Sequence, residues 1–247
     1  MSRLSDKHPD ANPAYTVLPW DSSFWGVRIA SVNSDTMTPE TARHADEWAL
    51  QEGVDCLYFL ARSDDAETAF AAEDAGFRLV DVRVQLTRAS EDVAWPAIVR
   101  ESKKSDLAEL QRIARSSHEI TRFYADPRFP RERCADLYEL WITRSCEGWA
   151  DAVLVAHEAE TPLGYVSCHE DEGGAARIGL IAVDARARVR GFGRALVLAA
   201  FAWSHGRKLR EISVVTQGRN VAAQRLFERC GFRTCAVGLW FHKWYDR

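Results

Sequence analysis

The run Arg188-Val189-Arg190-Gly191-Phe192-Gly193 has residue types in an order that could hold an anion. An apolar run, Ile178–Val183, leads into a polar, arginine-rich turn, Asp184–Arg190. After the glycines, Ala195–Trp203 is apolar with helical character. Strand, basic glycine loop and helix in that order present backbone N–H groups that have no partner inside the helix, in its positive dipole field. Arginine adds planar donors suited to phosphate, and glycine lets the backbone approach closely. On these residues alone the loop is an anion site whose ligand is unspecified.

Other residues could do chemistry nearby. Asn220 opens a helix that runs to Cys230, and its position also suits a plain N-cap. Glu170 begins the acidic turn Glu170-Asp171-Glu172 and is either a general base or a surface carboxylate. His169 falls on the other face of a regular strand. Cys168 has the chemistry of an acyl-accepting nucleophile but reads as a core thiol. Arg122, Phe123, Tyr124 and Asp126 crowd a proline-punctuated loop with Arg128 and Phe129. Such a loop either binds an acceptor or lets Phe123 and Phe129 seal the helix that follows.

The elements that must position these groups follow from pattern and punctuation. Residues 1–13 read as a frayed tail. Val17–Leu18 and Val27–Ile29 predict two short strands around an Asp-Ser-Ser turn, with Trp20, Phe24 and Trp25 as an aromatic corner. Thr38–Gln51 is a capped helix, Asp55–Arg62 a buried strand, Asp65–Ala75 a helix stopped by Gly76, and Phe77–Thr87 an alternating strand. Helices follow at Ser105–Ser117, with a Ser/Asp cap, and at Glu132–Cys146. Ala152–Ala156 and Leu163–Glu170 form a hairpin, and Arg177–Val183 is the strand before the glycine loop. Helix Ala195–His205, strand Leu209–Thr216, helix Asn220–Cys230 and an aromatic strand, Val237–Tyr245, complete the chain. The expectation is an α/β (α+β) fold with a mixed, mostly antiparallel sheet flanked by helices. Trp95–Pro96 is the expected junction between an N-terminal α/β domain, 1–96, and a second domain, 97–247.

Bulk numbers narrow the function class. With 247 residues, 47% of them hydrophobic, the chain can bury one large or two modest cores. A net charge of −4 does not suit a general nucleic-acid binder. The 6 cysteines form no CxxC pair and stand at no zinc-finger spacing, so no metal is expected. No apolar run has the length of a membrane helix, and the N-terminal residues lack a signal-peptide core, so a cytoplasmic protein is expected.

The hexapeptide Arg188–Gly193 resembles the R/Q-x-x-G-x-G/A signature of the GNAT N-acyltransferase superfamily. Asn220–Phe232 (NVAAQRLFERCGF) resembles that superfamily's second motif, N-x-x-A-x-x-L-Y-x-x-x-G-F. Further patches, Pro19–Gly26, Thr121–Pro130, Gly164–Glu170, Ala176–Val183 and Val214–Asn220, are similar to the dTDP-fucosamine (dTDP-4-amino-4,6-dideoxy-galactose) acetyltransferase subgroup. The resemblance covers residues 15–245 in patches and is best after Lys104. It implies a GNAT fold whose N-terminal half is a degenerate GNAT-like unit. It also implies transfer of an acetyl group from acetyl-CoA to the 4-amino group of a dTDP-linked amino-dideoxy sugar.

The resemblance further implies roles. The backbone of Ile181, Ala182 and Val183 would pair with the pantetheine amides, and an N–H near Ala182 or Val183 would meet the oxyanion. The N–H groups from Val189 through Phe192 to Ala195 would bind the pyrophosphate, with Arg188, Arg190 or Arg194 adding charge and Asn220 holding the cofactor arm. Glu170 is the candidate base, through water, and Arg122, Phe123, Tyr124 and Asp126 are the acceptor-binding candidates. At the position of the subgroup's acidic Tyr this chain has Phe227, which cannot donate a proton; water or Tyr245 would have to substitute. The expected partner is a small-molecule amine, first a nucleotide sugar, without nucleic acid or membrane; a homodimer is compatible with the sequence. The alternatives are a GNAT enzyme for another small amine or a protein N-terminus, or a non-catalytic acyl-CoA-binding domain.

Overall fold

The structure, a computed structural model, describes residues 14–171 and 173–246. The expected tail, 1–13, and Glu172 lie outside them. The chain divides into two compact units: one runs through Val82 and takes in Gly238 onward, and the other is Arg83–Val237. The expected junction at Trp95–Pro96 therefore falls inside the second unit. Strand pairing explains this. From Arg83 onward the strand that follows the first unit pairs with Glu211–Gln217, far along the chain.

In the first unit, β1 (Tyr15–Val17) pairs antiparallel with β2 (Ile29–Val32), and β2 pairs parallel with β3 (Cys56–Arg62). Between β1 and β2 lies α1 (Pro19–Trp25), a helix where the sequence predicted an Asp-Ser-Ser turn between strands. Pro19 at its first position and Gly26 at φ 74° after its end are the punctuation of a short helix. The Ser22 hydroxyl sits inside it, donating to Leu18 O and accepting Ile29 N–H. Helix α2 (Pro39–Gln51) is capped by Thr38, which exchanges hydrogen bonds with Thr41. Asp65 caps α3 (Ala66–Asp74). The buried faces of both helices, Ala42, Ala45, Ala49, Ala71 and Ala72, pack with Leu57, Phe59 and Phe241 into one core. Strand β4 (Arg78–Ala89) leads out of this unit, and the end of the last strand, β10 (Arg233–Trp244), pairs antiparallel with β3.

The second unit is a mixed, mostly antiparallel sheet covered by helices. In sequence it comprises β5 (Val99–Glu101), α4 (Leu107–Ser117), α5 (Arg122–Ala125), α6 (Arg131–Arg144), β6 (Ala152–Glu158), β7 (Thr161–Asp171), β8 (Ala175–Val183), α7 (Phe192–Gly206), β9 (Glu211–Gln217) and α8 (Val221–Arg229). Antiparallel pairings join β5–β6, β6–β7, β7–β8 and β9–β4, and β8–β9 is parallel. The expected Ser/Asp cap of α4 is absent. Asp106 instead accepts Lys103 N–H (2.7 Å) and both terminal nitrogens of Arg100 (2.7 and 3.0 Å).

Successive β7 residues point to opposite faces of the sheet. Tyr165 reaches His118, at the end of α4, and a Cβ on Gly164 would meet Leu196 of α7. Helix α4 therefore covers one face and α7 the other. No helix among the described residues is long and apolar enough to cross a membrane.

Candidate active site

Strand β8 offers an open edge. Its parallel pairing with β9 consists of Ala176–Ile212, Arg177–Ser213 and Ile178–Val214. Beyond Ile178, β8 continues to Val183 and β9 to Gln217 with no further pair between them among the described residues. A bulge in β8 marks the divergence: Gly179 and Leu180 together face Ser167, whose hydroxyl accepts Leu180 N–H at 2.8 Å. A bulge bends its strand and ends regular pairing. Glycine is needed here, because a Cβ at 179 would lie 2.4 Å from His169 Nε2. Ile181, Ala182 and Val183 are thus backbone available to an extended, amide-bearing ligand on the β9 side.

The start of α7 completes the slot. Gly191, at φ 90°, is its N-cap and no side chain caps the helix. The N–H of Ala195 already donates to Gly191 O (3.0 Å), so it belongs to the helix ladder. The N–H groups of Phe192, Gly193 and Arg194 precede that ladder and point out of the helix end. Val189 is fully exposed at φ 58°, a strained conformation for a β-branched residue. A Cβ on Gly193 would come within 3.2 Å of Leu226 in α8, so glycine lets the start of α7 approach the side of α8.

Of the loop cations, Arg190 pairs with Glu158 (2.6 Å), and Arg188 lies over Val183 O (3.5 Å). Arg194 makes no ion pair among the described residues. Asn220 caps α8 by accepting Ala223 N–H (3.2 Å), which leaves its amide nitrogen to donate elsewhere. Open strand edge, free N–H groups and close-approach glycines suit the arm and diphosphate of a coenzyme A ester.

The other sequence candidates are placed differently. Glu170, 41% exposed at its side chain, pairs with Arg207 (3.2 Å) at the end of α7. It lies opposite Ala176, about 10 Å along the strand from the bulge at Gly179, and shares Gly164's face of β7. Arg122–Asp126 belong to the helical layer on the other face, so Glu170 and that segment are not brought together. Phe123 is buried against Phe129 (5.5 Å) and Trp141 (6.4 Å), and Asp126 is a buried turn residue accepting Arg128 N–H (3.0 Å). Phe123 and Phe129 do seal α6. Arg122 lies over the Phe123 ring, and Arg131 lies over Tyr124, whose pKa burial raises.

Phe227 is 1% exposed and packs against Phe232 (5.5 Å), which stacks on Phe201. Tyr245 belongs to the first unit, donates to Asp46 (2.8 Å) and is driven well above the usual tyrosine range by burial. Cys168 is fully buried and burial pushes its thiol pKa up, as befits a core thiol.

A half-buried polar group on the α4 face is not evident from the sequence. The His118 ring stacks on Tyr138 (4.5 Å), its Nε2 is 2.9 Å from the Tyr165 hydroxyl, and desolvation lowers its pKa to about 4. Tyr165 stands directly across from Ala182 on the open strand. The signal available was weak: a lone His at a helix end and a Tyr in an apolar strand. A surface cavity of about 350 Å³, bounded by Ala89, Gly173–Ala175, Arg210 and Glu211, is at the other end of β8 from the glycine loop.

Residues 108–232 match the model of the acetyltransferase (GNAT) family. The chain belongs to that family: it is an acetyltransferase, and its acetyl donor is acetyl-CoA. It is 27% identical to the dTDP-fucosamine acetyltransferase of Escherichia coli O6:H1 (strain CFT073), over 92% of this chain and 96% of that protein. It is 26% identical over 56% of its length to the spore coat polysaccharide biosynthesis protein SpsD of Bacillus subtilis, covering 48% of that protein. A GCN5-related N-acetyltransferase from Sphaerobacter thermophilus shares the fold, with a TM-score of 0.61 at 16% identity over 93% of this chain and 76% of that one.

Proposed function

We propose that this acetyltransferase acts on the 4-amino group of a dTDP-linked 4-amino-4,6-dideoxyhexose. The observation that carries the reading is the extent of the likeness to the Escherichia coli dTDP-fucosamine acetyltransferase, which spans nearly the whole of both proteins.

Acetyl-CoA supplies an acetyl group activated as a thioester. In this reading the open edge of β8, Ile181–Val183, pairs with the amides of the donor's arm. The N–H groups of Phe192–Arg194, with Arg188 and Arg194, hold the diphosphate, where fixed dipoles and guanidinium charge meet phosphate oxygens. Gly191 and Gly193 keep that surface free of side chains. A backbone N–H of the same β8 edge faces the developing oxyanion. Arg122 and Tyr124 are the acceptor contacts in this reading, and an arginine suits the acceptor's own diphosphate.

The amine's proton passes to water. Glu170 assists only through water, since it lies on the other face from Arg122. An alkyl thiolate is a competent leaving group without a strong acid, so Phe227 does not prevent turnover.

The second reading keeps the chemistry and changes the acceptor to another small amine or a protein N-terminus. It is favoured by the burial of Phe123 and Asp126, which withdraws two of the four acceptor candidates. Thiol release from acetyl-CoA separates the two. The first reading requires turnover with the dTDP-amino sugar well above that with simple amines or peptides; the reverse order would establish the second.

A further inference from the structure

We infer that Asp184 is a positioning residue for the donor's diphosphate, clamping the loop that precedes α7 to helix α4 through Arg112 and Glu109. The clamp rests on the reading of that loop as the diphosphate site.

Asp184 is the first residue after β8, and its N–H donates to Leu163 O (2.8 Å). Its carboxylate is 3% exposed at a position where the chain leaves the sheet. A buried carboxylate is costly unless charged and polar donors surround it. Four donor groups do so here. Arg186 contributes its backbone N–H (2.8 Å), Nε (3.0 Å) and Nη2 (2.7 Å), and Arg112 of α4 contributes its Nη2. Glu109, one turn earlier in α4, accepts from Arg112 (2.9 and 2.7 Å) and from Arg186 (2.7 Å). The two acids and two arginines thus form a closed ring across the loop and the helix.

Helix α4 is itself fixed at several points. Leu110, Ile113 and Ala114 are buried, Arg115 pairs with Asp136 (2.6 Å) and Glu139 (2.7 Å) of α6, and His118 reaches Tyr165. The loop beyond the clamp needs such an anchor. It carries Val189 and Gly191 at positive φ, and exposed loops held in strained backbone relax unless something over-determines them. Arg186 is consumed by the clamp and Arg190 by Glu158, which leaves Arg188 as the loop arginine for the ligand.

The test compares two donors in the intact enzyme: acetyl-CoA, and acetyl-pantetheine, which lacks the diphosphate. Asp184→Asn keeps the shape of the side chain and removes its charge. The expected result is a fall of about tenfold in kcat/KM for acetyl-CoA, carried by KM, with kcat/KM for acetyl-pantetheine changed less than about twofold. Arg112→Gln, which leaves Arg186 on Asp184, should give a smaller loss of the same selectivity, and it serves if Asp184→Asn does not fold. Equal losses with both donors, or no loss with either, would overturn the clamp while leaving the loop's ligand intact. A wild-type enzyme that does not prefer acetyl-CoA to acetyl-pantetheine would overturn the diphosphate site and the clamp with it.

Discussion

Phe227 and His118 show how differently single residues declare themselves. Phe227 is recognisable from the spacing of its motif, yet its burial against Phe232 comes from packing that no spacing records. Replacing it with Tyr adds a hydroxyl to a side chain that is 1% exposed. We predict that Phe227→Tyr lowers stability by about 1–3 kcal/mol, measured by chemical denaturation, and does not raise kcat. An increase in kcat would mean that the hydroxyl reaches the leaving sulfur.

His118 gives a pH-dependent prediction. Its pKa is about 4 in the folded protein and 6.5 when unperturbed, so the unfolded chain takes up the proton first as pH falls. The stability tied to its neutral form is fully present above pH 6.5 and is lost as pH falls toward 4. Denaturation midpoints between those values should show a loss of about 1–3 kcal/mol that is absent in His118→Gln. An identical slope in the variant would contradict the assignment. Residue types marked the anion loop, whereas the His118–Tyr165 contact joins residues far apart in sequence and leaves no local pattern.

At the scale of elements, most helices and strands were legible because periodicity and caps agree: Thr38, Asp65 and Asn220 each cap the helix they were expected to start. Between Val17 and Ile29 the Asp-Ser-Ser has the chemistry of a turn, which is why the sequence alone predicts two strands around it. The proline and glycine bracketing it decide for a helix. The bulge at Gly179 was invisible, since it depends on His169 and Ser167 arriving from the neighbouring strand. Gly179→Ala should therefore lower thermal stability and reduce acetyl-CoA affinity together, because the added methyl must displace His169. Gly191→Val should cost affinity for CoA by about tenfold or more through a strained φ, with the far-UV circular dichroism unchanged. Undiminished affinity, read by calorimetry, would remove the loop from the donor site.

At the scale of the whole molecule, the domain plan was only half legible. Trp95–Pro96 has the composition of a connection, but strand pairing from Arg83 with Gln217 assigns it to the second unit, and the last strand returns to the first. Long-range pairing of this kind is decided by the partner strand and is not written in the local sequence. Both units are spanned by the likeness to the Escherichia coli enzyme, which is why the acceptor proposed is that of the whole chain and not of the family segment. The most direct test is the initial rate of thiol release from acetyl-CoA with dTDP-4-amino-4,6-dideoxy-galactose as acceptor. The account predicts saturable turnover with kcat/KM at least about 10⁴ M⁻¹s⁻¹, in the range of ordinary enzymes. Turnover with this sugar no better than with simple amines would contradict it.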